Sequence, residues 1–69
     1  MELEALMQAL EEQKPVVLHR PNEESLKFEK ISEITPVFDK RGQPDYHAIV
    51  LDRVGRPCTV RARDLEVAG

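Results

Sequence analysis

Six cations gather in the second half of this chain: Lys40, Arg41, Arg53, Arg56, Arg61 and Arg63. Residues 1–38 hold eight acids and four bases, while residues 39–69 hold five acids and six bases, so the net −3 divides into −4 and +1. Arg61 and Arg63 alternate with Val60 and Ala62, the pattern of a strand with one wet face. Tyr46 and Thr59 are expected on that same face, with Tyr46 across from Arg63 in cation–π reach. An aromatic ring beside guanidinium groups can stack a nucleobase and hold phosphate. It can equally seat an acidic segment of a protein, since tyrosine and arginine are enriched at interaction hot spots. Lys40 and Arg41 fall in a loop, and Arg53 and Arg56 at a hairpin tip. These seven residues are the candidate partner-binding set.

Other reactive types are present without the neighbours that chemistry needs. A nucleophilic Cys58 would require a base in reach, and His47 falls too far along the partner strand; the sequence predicts Cys58 as a small core hydrophobe. His19 and His47 lack His-x-x-x-His or Cys-x-x-Cys company, so no metal site and no cofactor is expected. Asp39, Asp45 and Asp52 lie in loop and turn positions, where aspartate commonly accepts hydrogen bonds from backbone amides. Neither a small-molecule substrate nor an enzymatic reaction is implied.

The positioning elements follow from patterning. Residues 46–52 are rich in β-formers and residues 58–63 alternate, which predicts a hairpin. Asp52 and Gly55 suit the first and fourth places of a type I turn. If Arg53 pairs with Arg56, then Ile49, Leu51, Cys58, Val60 and Ala62 share the buried face, and Tyr46, Ala48, Val50, Thr59, Arg61 and Arg63 the outer one. If Gly55 bulges and Asp52 pairs with Arg56, the large apolar groups divide between faces. The first register is preferred because it buries the most apolar bulk together.

Upstream, Leu3, Leu6, Met7 and Leu10 mark one face of a helix over 2–13, within an N-terminal unit 1–14 that Pro15 ends. A helix so short must dock on its own sheet or on another subunit, which makes the four residues a candidate oligomer interface. Residues 16–20 and 26–30 read as strands around the polar turn 21–25. A helix over 23–33, with Asn22 as its N-cap, competes with the second of these. Residues 31–39 continue extended, 39–45 form a loop, and Leu65 and Val67 belong to a last strand.

The expected architecture is one mainly β (α+β) domain spanning 1–69. An N-terminal amphipathic helix precedes a small five-stranded antiparallel barrel over 16–67, SH3-like or Sm-like in the order of its elements, an analogy of topology alone. About 60% surface burial at this length leaves a thin core, for which self-association is an ordinary remedy. With no apolar run long enough to span a membrane and a single cysteine, a cytoplasmic protein is expected. The functional expectation is a non-enzymatic adaptor whose outer hairpin face binds an acidic protein partner. The alternative is an Sm-like RNA-binding module assembled as a ring.

Overall fold

The structure is a computed structural model that describes residues 2–68; Met1 and Gly69, the ends of the expected 1–69 domain, lie outside it. Helix α1 spans Leu3–Glu11. Beyond it Gln13 takes a left-handed φ of 54°. The Gln13 N–H donates to the Leu10 carbonyl at 3.3 Å and the Lys14 N–H to the Ala9 carbonyl at 3.0 Å. That pair of bonds closes the helix in a Schellman turn, and Pro15 carries the chain into extended geometry.

Six strands follow: β1 (Val16–Leu18), β2 (Leu26–Phe28), β3 (Lys30–Phe38), β4 (Pro44–Leu51), β5 (Pro57–Arg61) and β6 (Leu65–Val67), with a single 3-10 turn at Ala62–Asp64. The expected five-stranded barrel does not form. The strands divide into two three-stranded antiparallel sheets, β2-β1-β6 and β3-β4-β5, and neither closes. Glu29 alone separates β2 from β3, and its N–H donates to the Leu51 carbonyl at 2.8 Å where the sheets meet.

Two features work against closure. The strands of the first sheet are three residues long, too short to wrap. The second sheet also ends on proline-bearing strands. The Asp39 N–H bonds to the Gln43 carbonyl, and the Asp52 N–H to the Arg56 carbonyl. Antiparallel bonding alternates from those pairs, so the nitrogens of Pro36 and Pro57 face away from β4. Each free edge therefore lacks a donor, a common way of blocking further pairing. The 23–33 segment is β2 and the start of β3 rather than a helix.

The hairpin register is the alternative one. Val50 pairs with Cys58, Ala48 with Val60, and His47 with Arg61. Gly55, at φ 83°, makes the bulge that the larger apolar groups on β4 argued against. Consequently Ala48 and Val50 are fully buried, with Tyr46 and Val60 packed beside them, while Ile49 and Leu51 are only half-buried on the other side. Tyr46 thus sits opposite Pro36 on the core side and not across from Arg63. Cys58 is exposed, not a core residue.

The core takes Leu6 and Ala9 from α1, Val16, Phe28 and Ile31 from β1 to β3, Ala48 and Val50 from β4, and Ala62 and Leu65 from the segment after β5. Leu6 is wholly buried and Leu10 packs against the same cluster, so these two dock on their own sheet. Only Leu3 and Met7 of the candidate oligomer interface stay open, at 39% and 55% exposure.

Leu6→Ala should lower unfolding free energy by about 2–5 kcal/mol, as for a buried leucine, while Met7→Ala should cost far less. Denaturant melts of the two variants check this, and equal losses would contradict the docking described. The glycine turns give a second expectation. A Cβ at Gly42 or Gly55 meets no atom within 4 Å, so only the left-handed backbone penalises alanine there. Gly42→Ala and Gly55→Ala should each cost about 1–2 kcal/mol in the same melts.

A basic concavity on the outer sheet face

Two turns built alike position the candidate residues. Asp39 begins one and Asp52 the other, and each places a glycine at the fourth position with positive φ. Asp39 Oδ1 accepts from the backbone N–H groups of Arg41 and Gln43, at 2.8 and 2.9 Å. Asp52 Oδ1 accepts from those of Val54 and Arg56, at 3.0 and 2.9 Å. Residues 39–45, expected as a loop, thus hold a second turn, and the Asp-x-x-Gly spacing that 39–42 shares with 52–55 is its signal in the sequence. Both aspartates cap backbone amides, as their turn positions implied.

The candidate set separates into three places. Lys40, Arg41, Arg61 and Arg63 meet around a concavity of about 550 Å³ at the 39–43 turn, together with Val37, Phe38 and His47. Arg53 and Arg56 lie at the other turn, in a second depression with Lys27, Glu29, Asp52 and Val54. Tyr46 belongs to neither and packs toward the core. The alternation of β4 explains the split: Tyr46 shares a face with Ala48 and Val50, and His47 shares the opposite face with Arg61.

Four cations line the first concavity against two carboxylates, a net +2 with His47 neutral. Both carboxylates are already engaged. Asp39 caps its turn, and Asp45 accepts from the Tyr46 N–H at 2.8 Å and from Arg63 Nη2 at 3.0 Å. Among the described residues, Lys40, Arg41 and Arg61 make no ion pair. Phe38, 78% exposed, also borders the concavity where the β3–β4 hairpin runs past the end of β5, but its pairing with Pro44 puts it on the Pro36 and Tyr46 face of the hairpin.

A second constellation went unread because its members lie far apart in the chain. His19 Nε2 is 2.6 Å from Glu66 Oε2, and Ser25 Oγ is 3.2 Å from His19 Nδ1. All three are exposed, and neither concavity includes them. They fasten the 19–25 turn to β6, beside the His19 N–H bond to the Asp64 carbonyl at 2.8 Å. Arg20 holds the same turn by donating to the Glu24 carbonyl from Nε and Nη2. Among the described residues no group of three or more His, Cys, Asp or Glu is placed to hold a metal ion, and no helix is long and apolar enough to cross a membrane. No family model matches the chain, and neither a curated protein nor a solved structure gives a significant match.

The engaged aspartates carry a pH dependence. The Tyr46 backbone N–H, then the Arg63 guanidinium, hold the Asp45 carboxyl below the usual carboxylate range. The Arg56 N–H, joined by the Val54 N–H and the Arg56 side chain, does the same for Asp52. A carboxyl depressed in the folded state stabilises above its unfolded pKa, and that contribution is lost as pH falls through the folded value. Stability should therefore decline below about pH 4. Asp45→Asn and Asp52→Asn should each be less stable at neutral pH and flatter in that acid range. Denaturant midpoints across pH test this, and an unchanged acid slope in both variants would contradict it.

Proposed function

We propose that this chain is a non-enzymatic interaction module that binds an acidic segment of a protein partner in the concavity at the 39–43 turn. One observation carries the reading: three cations that make no ion pair among the described residues surround a concave surface whose carboxylates are already engaged, in a chain of net −3. A compact basic site on an acidic molecule attracts acidic groups locally while the remaining surface repels them, which favours a defined docking position. Arg61 and Arg41 can each grip a carboxylate with two N–H groups, and Lys40 supplies a point charge. Arg63, held by Asp45, keeps the wall in place. Arg53 and Arg56 form a separate basic surface and are not needed for this contact. A cytoplasmic setting goes with the reading, since an exposed free thiol suits a reducing compartment.

Titration of the dilute protein with a labelled oligo-glutamate peptide tests the proposal. Arg61→Glu should weaken binding by roughly fivefold or more, about 1 kcal/mol for an exposed charge contact, with the fold unchanged. Arg53→Glu should change it little. Equal weakening by both variants, or no binding by the native chain, would overturn the site. A single-stranded RNA bound more tightly than the peptide, with affinity falling steeply in salt, would favour the nucleic-acid reading instead.

A further inference from the structure

The chain has two histidines, and the fold uses them differently. His19 has both ring nitrogens engaged, Nε2 with Glu66 and Nδ1 with Ser25, and neither concavity includes it. His47 is half-buried on β4, the central strand of its sheet, and lines the basic concavity. Among the described residues its ring makes no hydrogen bond and no ion pair. Both of its ring nitrogens are therefore available to a ligand seated among the cations.

The groups around His47 are mostly of one sign. Strand β5 sets Arg61 directly opposite it, and β3 sets Thr35 opposite on the other side. Glu33, across from Ile49, is a diagonal neighbour on the same face, exposed and outside the concavity. Along β4 itself Asp45 shares the face, but it accepts from the Tyr46 N–H and from Arg63. The 39–43 turn brings Lys40, Arg41 and Asp39, the last held by its own turn. Resting on the binding reading above, we infer that His47 is a further ligand contact of this site and that its protonation tightens the grip on an acidic segment. Protonation takes the concavity from +2 to +3, five cations against two carboxylates. Both ring nitrogens then donate, so the ring pairs with a carboxylate beside the one that Arg61 holds. Histidine ordinarily changes charge between pH 5 and 8, which the other side chains lining the concavity do not. A carboxylate seated against the ring favours its protonated form, and by linkage the protonated form binds that carboxylate more tightly. Binding takes up a proton, and affinity rises as pH falls.

Titrating the same labelled oligo-glutamate peptide into the full chain at pH 8 and at pH 6, at fixed ionic strength, tests the inference. Carboxylates stay largely ionised across this window, so the peptide's own charge changes little. Native affinity should be roughly fivefold higher at pH 6 than at pH 8. His47→Gln should hold nearly one affinity across the window, and His47→Lys, a fixed cation, should do so at a tighter value. Circular dichroism checks that both variants fold. His19→Gln should keep the native pH dependence. In nuclear magnetic resonance titrations the His47 ring should take up its proton at a higher pH with peptide bound than without. The same pH dependence in the native chain and in His47→Gln would overturn the inference, as would its loss in His19→Gln. A native affinity indifferent to pH, with Arg61→Glu still weakening it, would remove the role of His47 and leave the site standing. No peptide binding at either pH would remove the site and the inference together.

Discussion

The rest of the structure depends on the carboxylate caps at Asp39 and Asp52. Each holds two backbone amides of a tight turn, and each turn admits a glycine in left-handed geometry before the chain returns. The two turns fix both registers of β4, with β3 on one side and β5 on the other. Side chains alternate strictly along a strand, so these registers decide which residues of β4 enter the core and which face outward. Ala48 and Val50 go in; His47 goes out and brings Arg61 beside it. The basic concavity is therefore a consequence of turn geometry more than of the basic residues' own preferences.

The core thus fixed is narrow, and α1 completes it. Among the described residues nine buried side chains form one cluster, two of them from the helix. The small residues Ala9, Ala48 and Ala62 let helix, sheet and 3-10 turn approach closely around Leu6, Val50 and Ile31. A core this small also leaves apolar groups uncovered, among them Met7 and Phe38. Thin cores and uncovered patches have one physical origin here: too few residues to bury every large side chain.

Much of this was legible in the chain. Apolar period located the helix and Pro15 its end; β-former content located β4 and alternation β5; Asp52 and Gly55 gave the turn type. The basic cluster was legible as composition, and Lys40, Arg41, Arg61 and Arg63 do come together. The register was not, because apolar bulk was taken as the guide. Ile49 and Leu51 are larger than Ala48 and Val50, yet the bulge at Gly55 puts the smaller pair inside, where the helix needs close approach. Tyr46 moved to the core side by that one-residue difference; Cys58 stays on the face of Val50 and Val60 but is exposed near the start of the edge strand β5. Barrel closure failed as an expectation because strand count says nothing about whether the edges meet. The Ser25, His19 and Glu66 contact joins residues 47 positions apart at its ends, so no local pattern carries it.

One experiment reaches the central claim, that β4's register gathers the cations into a site for acidic groups. Backbone amide resonances would be assigned by nuclear magnetic resonance and followed as an acidic peptide is added at constant salt. The register places the largest shifts in the 39–43 turn and at His47, Arg61 and Arg63, with the 53–56 turn and Tyr46 changing little. Shifts centred on Arg53 and Arg56, or spread evenly over every basic residue, would show that the outer face of β4 and β5 holds no such site.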